Sequence, residues 1–135
     1  MKPPDEHIPG LKAVLPYYLF ASIGFVIFHV LLVFAAPELP LHYFQPKLLA
    51  LTHLFVLGWA TIMIFGASNQ LVPVISETKL FSTTLPVLNL VLLVAGIPML
   101  VGSFWAFQFT WIAYTGAACI LLAIILHSFN IYKSI

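Results

Sequence analysis

Charge is what this sequence lacks most. Only 7% of its 135 residues are charged, and these comprise five lysines, four acidic residues and no arginine. A soluble globular domain carries about 25% charged residues, so this composition cannot supply a water-exposed surface. The net charge of +1 also leaves no basic patch that would hold a phosphate backbone. The composition therefore excludes a soluble domain and a nucleic-acid partner.

Cysteine is almost absent as well. The single Cys119 lies within an apolar run, so the chain cannot form an intrachain disulfide. A lone cysteine in such a run is most often a small packing residue. It indicates neither a redox compartment nor a reactive thiol.

Long apolar runs are what the sequence has instead. The chain is 62% hydrophobic, with a mean hydropathy of +1.10. A bilayer core about 30 Å thick needs about 20 helical residues, and four runs of roughly that length occupy residues 13–36, 47–72, 84–101 and 106–131. We expect an all-α membrane protein with a single domain, in which four transmembrane helices form an up-down bundle in the lipid bilayer.

The lysines predict the orientation of this bundle. Four helices place Lys2, Lys12, Lys79 and Lys133 on one side of the membrane and Lys47 on the other. Because cytoplasmic segments carry an excess of lysine and arginine, both termini are expected in the cytoplasm.

Aromatic residues at the predicted helix ends agree with that orientation. Trp105 and Trp111 are expected near the outer surface, and Tyr17 and Tyr18 near the inner one. Tryptophan and tyrosine favour the two membrane–water interfaces because their rings are apolar and carry one polar group.

The second run carries the most informative pattern, because it contains a histidine among small residues. At 100° per residue one helix face groups the histidine with two alanines, which would leave a shallow trough for a flat ligand. That face comprises His53, Leu57, Ala60, Ile64 and Ala67. The opposite face holds small residues that favour close helix packing, namely Gly58, Ile62, Gly66 and Asn69.

A histidine inside a membrane helix is costly unless it has a partner. The commonest partner of a neutral imidazole is haem iron or another metal. A hydrogen bond to a neighbouring helix and a role in proton handling are the alternatives for His53. The residues alone leave these three interpretations open.

The segment around His53 resembles the second helix of subunit I in the haem-copper oxidase family, which includes nitric oxide reductases. In that family the helix begins with a histidine, continues through Met-Ile-Phe and closes on Gly-Asn-x-Leu-Val-Pro-Leu. The matching features here are His53, Met63–Phe65 and Asn69–Val74, with Leu85–Asn89 resembling the start of the third helix. The likeness covers roughly residues 46–90.

The resemblance implies that His53 is an axial ligand of haem b. The family's copper-ligating histidines and the His-x-His pair of a later helix do not occur in this sequence, so a complete oxygen-reducing site is not expected and an enzymatic activity is undecided. We expect a b-type haem protein of the bacterial inner membrane that transfers electrons, or senses or handles haem.

The family arranges about twelve helices as three arcs of four, and this chain resembles one arc. The resemblance therefore implies a homo-oligomer, a dimer or trimer, in which copies of His53 from two subunits hold one haem. A redox partner or a quinone is a further expected partner.

His29 is the candidate for a second axial ligand, because it lies at nearly the depth of His53 in the predicted first helix. A bond to a neighbouring helix is its alternative. His42, in the outer loop, is expected in a solvated position or beside a haem propionate, whereas His127, near the inner end of the fourth helix, would be needed for a second haem.

Three amides near the inner surface are expected to hydrogen-bond across the hairpin of the second and third helices, with a propionate or quinone contact as the alternative. They are Asn69, Gln70 and Asn89. The competing interpretation of the whole chain is a cofactor-free structural or assembly subunit, in which His53 only bonds a neighbouring helix.

Overall fold

The computed structural model describes residues 11–42 and 44–135, and these form helices and short connections. We number the helices α1 (Leu11–Ala35), α2 (Pro46–Ile75), α3 (Thr84–Trp105) and α4 (Trp111–Ser134). Each is long and apolar enough to cross a membrane. The prediction of an all-α chain with four membrane-spanning helices is confirmed.

The ends of α2 and α3 are closed by the same backbone turn. In α3 the amide of Phe107 donates to the Phe104 carbonyl, and the amide of Gln108 donates to the Ser103 carbonyl at 2.9 Å. This is a Schellman motif, which puts Phe107 in the left-handed region at φ 52°. Because this turn follows Trp105, α3 extends beyond residue 101, at which the apolar run was expected to end.

A π-helical segment interrupts α2. Residues Pro46–His53 and Ile62–Ile75 are α-helical, whereas Leu54–Thr61 is a π-helix. The Thr61 hydroxyl donates to the Val56 carbonyl five residues earlier, at 2.9 Å. Hydrogen bonds from i to i+5 accommodate about one residue more than an α-helix of the same length.

The helices pack in chain order as an open row, with smaller contacts between α1 and α3 and between α2 and α4. In the described part of the chain α1 packs mainly on α2, α2 on α3, and α3 on α4, while α1 and α4 make no contact. Consecutive helices are antiparallel because short loops join them, so the expected up-down order holds. The contact between first and last helix that closes a four-helix bundle is missing.

Glycines allow the closest helix approaches. A Cβ built on Gly24 of α1 would lie 2.3 Å from the Gly58 carbonyl oxygen of α2, and one on Gly96 of α3 would lie 2.8 Å from the Gly116 carbonyl oxygen of α4. Membrane helices associate through such small residues because lipid supplies no hydrophobic drive between them.

Polar groups tie the row together at both ends. We call the side on which α1 begins and α4 ends the terminal side, and the opposite side the far side. On the terminal side Asn130 of α4 accepts the Ser82 amide at 3.0 Å and donates to its carbonyl at 3.2 Å. On the far side Lys47 pairs with Glu38 and lies 5.4 Å from the centre of the Trp105 ring.

Candidate haem-ligand site

His53 is the last residue of the first α-helical part of α2, directly before the π-helix. Its Nδ1 lies 2.8 Å from the Leu49 carbonyl oxygen. A carbonyl only accepts, so this bond requires a proton on Nδ1, and Nε2 has no hydrogen-bond partner among the described residues. A carbonyl bond of this kind fixes the tautomer and orientation of metal-binding imidazoles. The bond to Leu49 therefore fixes the orientation of the half-buried His53 ring.

The surroundings of His53 belong to the end of α3. The Phe104 ring lies 4.5 Å from the imidazole, centre to centre, at an angle of 54°. Lys47 lies almost two turns nearer the far side, over the neighbouring Trp105. The site thus has an aromatic wall and, at its far end, the Lys47–Glu38 ion pair.

The π-helix changes which residues continue the face of His53. A segment with about one extra residue rotates the two halves of α2 relative to each other by about 100°. Thr61, Phe65 and Ser68 then follow His53 along the helix, in place of Ala60, Ile64 and Ala67. Ala60 and Ala67 are half-buried, and their contact with a cofactor stays a prediction.

The opposite face packs as expected. Gly58, Ile62, Gly66 and Asn69 are all buried. Helix α1 packs closely against Gly58 and Gly66. A Cβ on Gly66 would lie only 2.7 Å from the Cβ of Tyr17.

His29 has the same local geometry as His53 but different neighbours. Its Nδ1 lies 2.8 Å from the Phe25 carbonyl, and its exposed ring belongs to a closed set of five aromatic rings between α1 and α2. That set is Phe25, Phe28, His29, Phe55 and Trp59, with ring centres 4.3 to 5.2 Å apart.

His29 and His53 share a depth but not a site. Each lies five residues from the crossing of Gly24 and Gly58, toward the far side. His53 faces Phe104 of α3, whereas His29 lies with aromatic rings on the α1 side of α2. The structure therefore does not bring the two predicted ligands together within one chain.

His127 makes a bond between helices. It is buried, its Nε2 lies 2.8 Å from the Ser68 hydroxyl of α2, and its ring stacks on Phe65 at 3.8 Å and 6°. The imidazole thus joins α4 to α2 through Nε2. In the far-side loop His42 accepts the Phe44 amide at Nδ1, at 3.0 Å.

Tyr17 is buried between helices near the terminal side, and its predicted place close to the inner membrane surface stays a prediction. It is 1% exposed, and its hydroxyl donates to the Pro86 carbonyl of α3 at 2.6 Å. Tyr17 packs on Gly66, where the missing side chain leaves room for a ring. That pairing of a ring with a distant glycine is not visible in a linear pattern.

The amides near Tyr17 also differ from expectation. Asn69 lies beside Tyr17, yet Asn69 and Asn89 are fully buried and their side-chain nitrogens and oxygens have no hydrogen-bond partner among the described residues. The predicted bond across the α2–α3 hairpin is not formed. Gln70 instead accepts the Tyr18 hydroxyl of α1 at 3.2 Å.

Within the described residues no group of three or more histidine, cysteine or acidic side chains is placed to hold a metal ion. Neither His29, on the α1 side of α2, nor His127, which bonds Ser68, shares the site of His53.

Comparison of the chain with protein-family models, curated proteins and solved structures finds no match. The likeness to the haem-copper oxidases consequently depends on the residues of α2 and the start of α3 alone.

Proposed function

We propose that this chain is a membrane protein that binds haem b through His53 and transfers electrons, or senses or handles haem, without reducing oxygen at a copper site. The observation that carries the proposal is the imidazole of His53, which lies within a membrane-spanning helix with Nδ1 anchored to Leu49 and Nε2 free. An uncompensated imidazole in this environment is costly, and a metal on Nε2 removes that cost.

The residues present fit one axial position of a haem. Phe104 offers an apolar ring beside the imidazole, and Lys47 on the far side can pair with a propionate while it remains near Glu38. The haem would supply one-electron chemistry at iron, while the chain orients the ligand and excludes water.

We propose that a second copy of the chain supplies the other axial ligand, in a dimer or trimer. The positions of the other histidines support this, because His29 lies on the α1 side of α2 and His127 bonds Ser68, so neither shares the site of His53. The same arrangement is compatible with the resemblance to one arc of a three-arc family. His53 of the second copy is the preferred ligand, and His29 of the second copy is the alternative.

The proposed setting is a bacterial inner membrane with both termini in the cytoplasm. Lysine distribution supports it, since Lys79 and Lys133 lie on the terminal side and Lys47 on the far side. A quinone or a protein redox partner would then deliver or receive the electron.

Haem content and native mass of the detergent-purified chain test the proposal. We expect a pyridine haemochrome spectrum of haem b, and an oligomer that holds one haem for each pair of contributing chains. A colourless chain that retains its fold would contradict the proposal and favour the cofactor-free structural or assembly subunit.

A further inference from the structure

Exposed aromatic side chains lie together on the far side, where a short connection joins α3 to α4. This connection, residues 106–110, has no charged side chain. Two of its rings and one ring from the connection before α2 are between 48% and 60% exposed. We call these three residues, Phe44, Phe107 and Phe109, the far patch. A contiguous exposed apolar patch of this kind marks a surface that binds a protein or a membrane.

Ring contacts join the far patch to the end of α3. The centre of the Phe107 ring lies 6.4 Å from that of Phe44 and 5.4 Å from that of Phe109. The Phe109 ring in turn lies 5.8 Å from that of Phe104, which belongs to the last turn of α3. The Phe109 ring is therefore folded back beside a membrane-spanning helix and does not extend away from it.

The backbone of the connection fits the boundary between lipid and water. The amides of Ala106, Phe107 and Gln108 donate to carbonyls of the last turn of α3 at 2.9 to 3.1 Å. The amides of Phe109 and Thr110 have no partner among the described residues. An unpaired amide is too costly in the hydrocarbon core, whereas water reaches the headgroup layer. The connection can therefore lie in the interfacial layer but no deeper.

A charged pair marks the level of that layer on the far side. Lys47 pairs with Glu38, and its Nζ lies 5.4 Å from the centre of the Trp105 ring. Lysine near a helix end and tryptophan both favour the interface. Trp105 is the last residue of α3, so the connection begins at this level. Its five residues, held by a membrane-spanning helix at each end, cannot carry the far patch far into water.

The terminal-side connection, residues 76–83, has the same turn but the opposite chemistry. Helices α2 and α3 both end in a Schellman motif, whose left-handed residue at φ 52° is Glu77 on the terminal side and Phe107 on the far side. The terminal-side connection also carries Lys79, and both of its charged residues are exposed. The backbone thus makes the same demand in both places, whereas the side chains match water on one side and lipid on the other.

We infer that the far patch is a membrane-anchoring surface, whose rings lie in the interfacial layer of the bilayer. Its partner is the lipid of the same membrane, because the connection continues two membrane-spanning helices and carries no charge that would orient a soluble protein. The terminal-side connection lies in water. The anchor fixes the depth of α3 and α4 in the bilayer, and it does not depend on the proposed function.

Spin-label accessibility tests this inference in the full chain, reconstituted in phosphatidylcholine nanodiscs that expose both faces. In a Cys119→Ser background, a nitroxide on Gln108→Cys leaves every ring of the far patch in place. The same label on Glu77→Cys is the terminal-side control, since both positions are exposed. Oxygen concentrates in lipid and a neutral nickel chelate in water. The ratio of oxygen to nickel accessibility should be several-fold higher at Gln108→Cys. Equal ratios would overturn the inference and favour a docking surface for a soluble protein.

Removal of the rings provides a second measurement. Phe107→Ser with Phe109→Ser should raise the nickel accessibility of the Gln108→Cys label several-fold. Phe81→Ser, which removes an exposed ring from the terminal-side connection, should leave it unchanged. A label that stays equally shielded in the folded double variant would contradict the anchoring role. If circular dichroism shows that the double variant does not fold, the ratio measured in the chain with all its rings decides alone.

Discussion

At the scale of single residues, Gly24 and Gly58 are the most tightly constrained positions of the α1–α2 crossing. The atoms that a Cβ on Gly24 would meet belong to the backbone of Gly58, including its carbonyl oxygen and carbon. A backbone group cannot rotate away as the end of a flexible side chain can. The crossing therefore tolerates no larger residue at position 24 without moving the helices apart.

The substitution Gly24→Ala should destabilise the protein by about 2 kcal/mol or more, because overpacking is expensive where nothing can yield. The free energy of unfolding, measured by denaturant titration in mixed detergent, checks this. Gly102→Ala is the matched control, since a Cβ there meets nothing within 4 Å. It should be neutral or stabilise α3 by up to about 1 kcal/mol. Equal effects of the two substitutions would contradict the packing at the crossing.

The Ser68–His127 bond gives a second prediction at this scale. Ser68→Ala removes the only hydroxyl within reach of His127 Nε2 in the described structure and should cost about 0.6 kcal/mol, with an upper limit near 1.7, as interhelical hydrogen bonds in membranes do. Thr115→Ala is the control, because that exposed hydroxyl bonds only the Trp111 carbonyl of its own helix. The same unfolding titration should show a smaller loss for the control, and a reversed order would argue against the bond.

Single residues were partly predictable from the sequence. The packing face of α2 follows from its small residues, whereas a role for His53, expected from the cost of an imidazole in lipid, stays a prediction. The burial of Tyr17 and the missing bonds of Asn69 and Asn89 were not predictable, because each depends on which distant residue lies opposite.

At the scale of helices, the turns that end α2 and α3 hold a non-glycine residue in a conformation that favours glycine. Glu77 and Phe107 both have φ of 52°. A side chain with a Cβ is strained there, whereas glycine is not.

Phe107→Gly should therefore stabilise the end of α3 by about 1 kcal/mol, less whatever contact the Phe107 ring makes with Phe44 and Phe109. Thermal unfolding in detergent provides the measurement. Ala106→Gly serves as the control. Ala106 has a helical φ of −79°, so its replacement by glycine should lower the stability of the end of α3. A loss of stability in Phe107→Gly as large as that in Ala106→Gly would show that the ring contacts outweigh the strain.

Helix number followed from hydropathy, but two features of the helices did not. The end of α3 at Trp105 depends on a backbone turn, and the apolar residues on both sides of it give no signal. The π-helix has the same apolar composition as regular helix, so the sequence gives no periodic pattern from which to predict it. For that reason the face assigned to Ala60 and Ala67 assumed a regular helix that α2 does not have.

At the scale of the whole molecule, the proposed function needs more than one chain. Of the described histidines, His29 lies with aromatic rings on the α1 side of α2 and His127 bonds Ser68, so neither shares the site of His53. A haem with two imidazole ligands at His53 would then take the second one from another copy of the chain. The oligomeric state and the presence of haem should change together.

The visible absorption spectrum of the His53→Ala variant, recorded beside the unsubstituted chain and His29→Ala, tests the central claim most directly. The unsubstituted chain should show a reduced Soret band with sharp alpha and beta bands, as bis-imidazole haem does. His53→Ala should lose these bands. His29→Ala should keep them if His53 from two chains holds the haem. A full haem spectrum in folded His53→Ala would contradict the assignment of the ligand.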